Sequence, residues 1–329
     1  MLNIAFAGLR HDHIYDLFNM AKENKIYTIL GGFEENDEAR KVAEEKGISC
    51  HYETFESLLN DERVETVVLG GCYGDRGGMA IEALKAGKHV IADKPLCTSL
   101  SELDEIERLA NEKNLKVSCM YTMRFEKRVV ALKKLFDEGV LGEINNVYFG
   151  GQHPLNYGKR PMWYFEEGKH GGVINDIAIH GIDILHFALG LELDEILAAR
   201  CWNKFADRQP QFKDSAQFMI REKNGAGVLS DISYATPTAP GFSLPYYWQF
   251  YVWGTKGMAS FSVNGKEPCY FTFENSEQQP LIEEEIERDY LTDFIEMVEG
   301  RECTLPMEDV FTATRETLTI QKFSDNKGE

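Results

Sequence analysis

The stretch His89-Val90-Ile91-Ala92-Asp93-Lys94-Pro95 decides how this chain is read. An apolar run stops at an acid, a lysine and a proline. Proline has no N–H and biases the residue before it away from helical dihedrals. A buried strand is expected here, with Lys94 presented beyond its carboxyl end. In open α/β sheets, ligands bind in the crevice beyond those ends. Taken alone, Lys94 reads better as a solvated side chain paired with Asp93, so the flanking sequence has to decide.

Working outward, residues 1 to 122 alternate strand and helix signals. Apolar runs occur at Ile4–Ala7, Tyr27–Phe33, Val64–Leu69, Val90–Ala92 and Val117–Tyr121, with a weaker one at Ile48–Tyr52. Between them lie helical patterns: Ile14, Leu17, Phe18 and Ala21; Asp37 to Lys46, stopped by Gly47; Met79 to Ala86, stopped by Gly87; and Ser101 to Lys113. Such alternation predicts a doubly wound parallel sheet over 1–122, the architecture that Rossmann domains share.

Residues 123 to 329 read as a second, α+β domain with a large, mainly antiparallel open sheet. A helix over Glu126–Glu138 is followed by a strand at Ile144–Gln152 and a Gly/Pro/aromatic loop from His153 to His170. A helix from about Gly172 to Leu189 ends at Gly190. Strands are expected at Ile196–Trp202, Ser215–Arg221, Ala226–Tyr234, Tyr246–Trp253, Met258–Val263 and Tyr270–Phe273, with Asn224-Gly225 as a hairpin turn. Helices at Glu285–Glu299 and Met307–Phe323 close the chain, and the acid run Glu283-Glu284-Glu285 is read as a solvated helix start.

Composition removes several classes of function. The 329 residues carry 54 acids against 35 bases, a net charge of −19. That surface repels nucleic-acid backbones and anionic membranes, so neither is an expected partner. The seven cysteines have no close pair and no zinc spacing, which fits a reducing cytoplasm. The apolar run at Met1–Ala7 is too short for a membrane span and lacks the basic start of a signal peptide.

Four places offer chemistry. Gly8-Leu9-Arg10-His11-Asp12-His13 follows the first strand, where a dinucleotide loop takes glycine at its first, third and sixth positions. Only the first glycine is present. Arg10 and His13 replace the others, and Arg10 offers a side-chain phosphate contact instead. A plain strand–loop–helix turn is the alternative. Glu34, or adjacent Glu35, ends the second strand, where an acid accepts from both ribose hydroxyls and favours NAD; it is otherwise an exposed helix-opening acid. A nicotinamide cation beside Lys94 would lower the lysine's proton affinity and let it exchange a proton near neutrality. Finally, in the stretch Gly171 to Asp183, Asp176, His180 and Asp183 share one face of a regular helix. A histidine held by a carboxylate suits a proton shuttle or hydroxyl anchor. A buried helix with satisfied polar groups is the bland reading. A metal site on His170, Asp176 and His180 ranks below both, and no metal is expected.

Together these motifs resemble the glucose–fructose oxidoreductase/inositol dehydrogenase (Gfo/Idh/MocA) family. Ala86-Gly87-Lys88-His89-Val90-Ile91-Ala92-Asp93-Lys94-Pro95 is similar to its A-G-K-H-V-x-x-E-K-P stretch. Arg124-Phe125, Leu141-Gly142-Glu143-Ile144 and Gly171 to Asp183 match three further motifs in order. The resemblance implies hydride transfer between NAD or NADP and a secondary alcohol of a sugar, inositol or related polyol. Lys94, Asp176 and His180 would be catalytic, with Lys94 or His180 taking the hydroxyl proton and Asp176 orienting one of them. Gly8, Leu9, Arg10, His13, Glu34, Cys72, Asp93, Lys94 and Arg124 would contact the cofactor. The resemblance also implies a homodimer or homotetramer through the second domain's sheet. The chain departs from the family in three places: Asp93 stands for glutamate, the glycine loop keeps one glycine, and Gly71 to Arg76 lacks T-P-N-x-x-H. A non-catalytic dinucleotide or sugar sensor on the same fold, and a metal-dependent hydrolase or lyase, are the alternatives. The aromatic and basic residues Tyr157, Lys159, Arg160, Trp163 and Tyr164 suit a polyol or sugar acid, or an oligomer contact.

Overall fold

The computed structural model describes residues 1–238, 247–263, 265, 268–275, 277–286 and 288–326. The chain divides into two compact units, one of residues 1–120, 168–171 and 288–314, the other of 121–167, 172–287 and 315–329.

The first unit is built on five parallel strands: β1 (Leu2–Ala7), β2 (Tyr27–Phe33), β3 (Thr66–Leu69), β4 (His89–Ala92) and β5 (Val117–Cys119), in the order β2-β1-β3-β4-β5. Ile4 to Ala7, Val67 to Leu69 and Val90 to Ala92 are buried throughout, as continuous apolar runs in a two-sided sheet should be. Helices α1 (His13–Glu23), α2 (Asp37–Glu45), α3 (Phe55–Leu59), α4 (Tyr73–Lys85) and α5 (Leu100–Lys113) connect them. The short α3 is opened by a capping box between Thr54 and Ser57.

Three expectations change here. Ile48–Tyr52 is not a strand. It makes only two backbone bonds to Gly32, because Gly31, with φ +127°, breaks the outer edge of β2. Helix α4 begins six residues before Met79. Two of its glycines serve close approach: a Cβ on Gly74 would lie 1.9 Å from the Gly168 carbonyl oxygen, and one on Gly77 2.5 Å from the Glu102 carboxyl. Residues 288–314, read from sequence as part of the second domain, pack with the first unit: Tyr27 Oη donates to the Leu291 carbonyl at 2.6 Å and Tyr290 Oη to Ser118 at 2.9 Å.

The second unit holds β6 (Ile144–Pro154), β7 (Leu193–Trp202), β8 (Ser215–Glu222), β9 (Gly227–Thr236), β10 (Gln249–Gly254), β11 (Gly257–Ser262), β12 (Cys269–Thr272) and β13 (Gln279–Pro280). Their order is β13-β12-β11-β10-β6-β9-β8-β7, antiparallel except for the β6–β9 pair. Tyr246, the expected start of β10, lies outside the described residues. On the inner face Phe149 stacks on Phe250, and Phe250 on Phe261, with centroids 5.6 and 4.8 Å apart. Helices α6 (Lys127–Asp137) and α7 (Ile179–Leu189) belong to this unit. Helix α7 seats on Phe149 through Gly181, where a Cβ would come within 2.3 Å of the ring.

Two further expectations are corrected. The helix expected from Gly172 is not regular: Ile174–Ala178 forms a π-type turn, and α7 starts only at Ile179. The acid run Glu283-Glu284-Glu285 is not helical. It pairs with Arg128, Lys134 and Lys127 at 2.9, 2.6 and 2.9 Å. The next helix, α8 (Tyr290–Val298), starts at Asp289, whose side chain accepts the Thr292 N–H; α9 (Met307–Asn326) follows.

Candidate functional site

In the first unit the loop after β1 turns at Gly8, with φ +68°. A Cβ there would lie 2.7 Å from the Gly71 nitrogen, so this one position of the loop requires glycine. The Leu9 N–H donates to Glu34 at 2.5 Å, and Arg10 donates through Nε to Glu34 at 3.2 Å and through Nη2 to Glu35 at 2.7 Å. Glu34 also accepts the Asn36 N–H at 2.9 Å and is 2% exposed. The adjacent acids at the end of β2, ambiguous in sequence, are thus separated: Glu34 is built into the loop and Glu35 is exposed. Cys72 sits just before α4, its sulfur 3.7 Å from Arg10 Nη1, and burial pushes its thiol up to about 11.

Where the second and third glycines would stand, side chains form a network. His11 Nδ1 bonds Asp93 Oδ2, and His13 Nδ1 lies 3.2 Å from Asp93 Oδ1. Tyr73 Oη bonds His11 Nε2 at 3.0 Å. Arg76 Nη2 donates to Asp93 Oδ2 at 2.8 Å, with both residues fully buried. Burial drives His11 down to about 4 and so keeps it neutral near pH 7; its Nδ1–H then donates to Asp93 and its Nε2 accepts from Tyr73. Burial alone would raise Asp93, but Arg76, His11 and His13 hold it well below the usual carboxylate range.

Among the described residues, His11, His13 and Asp93 are the one group of such side chains close enough to hold a metal ion. The electrostatics oppose it. Arg76 already neutralises Asp93, and a divalent ion there would add two uncompensated charges beside a fully buried guanidinium. His170, weighed and ranked low as a metal ligand in the sequence, packs its ring 5.6 Å from that of Tyr73.

Lys94 follows β4 directly and is 5% exposed; its peptide bond to Pro95 is cis. The N–H groups of Arg10, Asp12 and His13 have no acceptor among the described residues. They sit at the start of α1, where a helix favours an anion. That turn therefore offers N–H donors to an anion, beside Arg10, which is held by Glu34 and Glu35.

In the second unit, Asp176 lies in the π-type turn, a distortion common at functional sites. Its Oδ2 accepts from Tyr164 at 2.7 Å and from Tyr234. Both tyrosines are buried; Tyr164 comes from the aromatic loop and Tyr234 from the inward-facing period of β9. The ring of His180 meets Trp248 edge-on at 5.5 Å, and His153 meets the same indole at 5.4 Å. Trp248 has φ +49°, a left-handed conformation rare for a bulky side chain. Its indole needs Gly151, where a Cβ would lie 2.9 Å away.

Asp183 and Arg124 part from the expected arrangement. Arg124 donates to Asp183 at 2.8 Å, both fully buried, with the guanidinium over Phe187 at 4.8 Å. Asp183 therefore anchors Arg124, while Asp176 bonds the two tyrosines. Sequence reasoning missed His11, Tyr73, Arg76, His153, Tyr234 and Trp248. Only Tyr234 carried a signal, its place on the inward period of a strand.

Among the described residues no helix is long and apolar enough to cross a membrane. Residues 2–121 match the model of an oxidoreductase family with an NAD-binding Rossmann fold, and residues 129–260 match the Gfo/Idh/MocA C-terminal domain. The chain is 24% identical to myo-inositol 2-dehydrogenase of Thermotoga maritima over 199 residues, 59% of this chain and 58% of that one. The first curated relatives are matched over only 36–58% of their length. Among solved structures, an NAD-binding protein from Listeria innocua superposes with TM-score 0.82 at 20% identity, covering 99% of this chain and 95% of that one. A levoglucosan dehydrogenase in complex with NADH and levoglucosan gives 0.80 at 20%, covering 99% and 98%. Both likenesses concern the fold. With its parallel sheet and its eight-stranded sheet each matched to the same family, this chain belongs to the Gfo/Idh/MocA oxidoreductases.

Proposed function

We propose that the protein is a dehydrogenase that uses NAD or NADP and acts on a secondary alcohol of a sugar, inositol or related polyol. The observation that carries this is Lys94, 5% exposed at the carboxyl end of a central strand in a parallel sheet of the NAD-binding type. Glu34, an acid at the end of β2 where a dinucleotide's ribose lies, supports NAD over NADP. The relative that acts on myo-inositol supports the substrate class.

When bound, the nicotinamide cofactor supplies the hydride acceptor or donor. The chain's own residues handle the proton and the hydroxyl groups. Lys94 or His180 takes the proton of the reacting hydroxyl. Asp176, with Oδ2 held by Tyr164 and Tyr234, orients the group that does so. Arg10, His13 and the N–H groups at the start of α1 hold the pyrophosphate. Cys72 and Asp93 flank the cofactor, and Arg124 braces the start of the second unit.

Exposed apolar side chains on the open face of the eight-stranded sheet, among them Leu197, Met219, Leu229, Trp253 and Phe273, support a homodimer or homotetramer through that face. Seven free thiols support a reducing, cytoplasmic setting. The test is a panel of inositols, sugars and polyols followed by the absorbance of reduced nicotinamide, with thermal shifts for all four cofactor forms. Turnover lost in Lys94→Ala with the cofactor shift retained is the expected result. No shift with any of the four at millimolar levels overturns the proposal, and binding without turnover points to a sensor.

A further inference from the structure

The segment from Gly71 to Arg76 runs from just after β3 into the first turn of α4, and Arg76 closes it. Arg76 is fully buried. Its Nη1 faces three successive carbonyl oxygens, those of Asp93 at 3.0 Å, Lys94 at 2.6 Å and Pro95 at 3.1 Å. Its Nη2 holds the Asp93 carboxylate at 2.8 Å, and its guanidinium carbon lies 4.7 Å from the Tyr73 ring centroid. One planar cation thus grips both the main chain on each side of Lys94 and the acid before it. The other side of that acid is fixed by His11 and His13.

We propose that Arg76 is a positioning residue for Lys94: its guanidinium fixes the main chain from which the lysine side chain springs. The chemistry asks for arginine. Three carbonyls and a carboxylate converge from different directions, and only a fork of planar donors serves them together. An ammonium at the end of a flexible stem satisfies the charge of Asp93 but not the spread of acceptors. Strand β4 ends at Ala92, so the ladder does not hold Lys94, and Arg76 takes over where the sheet stops. Displacement of a reacting group by about 1 Å costs on the order of 100-fold in rate.

The inference rests on the reading of Lys94 as the proton-handling group, and the experiment separates the two. Arg76→Lys is compared with the unaltered protein by thermal melting, by steady-state kinetics and by the acylation rate of Lys94, read by mass spectrometry. Lys88 serves as the internal standard: it is 8% exposed and bonded to the Asp61 and Val64 carbonyls at 3.0 and 2.8 Å. We expect Lys94 acylation to rise at least about fivefold relative to Lys88, and kcat to fall about 100-fold with KM for cofactor changed less than about threefold. If Arg76→Lys does not fold, the pair Arg76→Gln with Asp93→Asn removes both charges and leaves neither unpaired. The same rise in labelling is expected there. An unchanged Lys94:Lys88 ratio in the folded variant overturns the inference. Altered labelling in a protein that turns over no alcohol supports the positioning role and overturns the proposed function instead.

Discussion

Two buried carboxylates, Asp93 and Asp176, are stabilised by opposite means. Asp93 is fully buried and answered by a full charge on Arg76, with His11 and His13 on its remaining lone pairs. Asp176 is answered by two neutral phenols, Tyr164 and Tyr234. The contrast shows two ways in which one chain supplies partners to a buried acid. An ion network is costly to break, because each loss leaves a charge unpaired. A pair of hydroxyls is cheaper to lose and leaves the carboxylate open to other partners.

The largest effect should come from Asp93→Asn, which leaves Arg76 as an uncompensated buried cation. A loss of about 3–5 kcal/mol is expected from urea unfolding. Asp176→Asn keeps the shape and strands no charge, so about 1–2 kcal/mol is expected. Equal losses would erase the distinction between the two sites.

Acid sharpens the comparison next, because two buried groups respond with opposite sign. Burial lowers His11 from 6.5 to about 4, so the unfolded chain binds more protons within that window. The stability His11 contributes is complete above 6.5 and is lost as pH falls toward 4. Glu222 in the second unit goes the other way. Burial, then the charges of Glu316 and Glu192, raise it from 4.5 to about 7. Its contribution is complete below 4.5 and is lost as pH rises through 7. Between pH 4 and 8 the change in unfolding free energy should therefore differ from that of the unaltered protein by on the order of 2 kcal/mol, in opposite senses for His11→Asn and Glu222→Gln. Parallel profiles for the two variants would refute the assignment.

The smallest effect is predicted for Tyr164→Phe. Tyr234 still serves Asp176, so about 1 kcal/mol should be lost. A loss as large as that of Asp93→Asn would mean that the two phenols act as one unit.

Much of this was legible in the residues. Strand β2 agrees with its apolar run end to end, and α5 begins one residue before its expected start. Lys94 was placed at a strand end by Pro95 alone. What misled was local chemistry with a distant cause. The first turns of α4 were missed, because the backbone that Gly74 approaches, at residues 168–169, lies far along the chain. The even spacing of Asp176, His180 and Asp183 assumed a regular helix, and the π-type turn breaks that spacing.

By itself the sequence determined the alternation of strands and helices, the carboxyl-end position of Lys94 and the family, because periodicity and short-range dihedral preferences are written in neighbouring residues. Only the tertiary structure decided the partners. Arg76 is 17 residues from Asp93, and Tyr234 is 58 from Asp176. A charge or hydroxyl finds its acceptor through the packing of elements around it, which no local pattern records. The stretch ending in Asp93-Lys94-Pro95 shows both halves: its strand is spelled in the sequence, while the arginine that holds its end is known only from the fold.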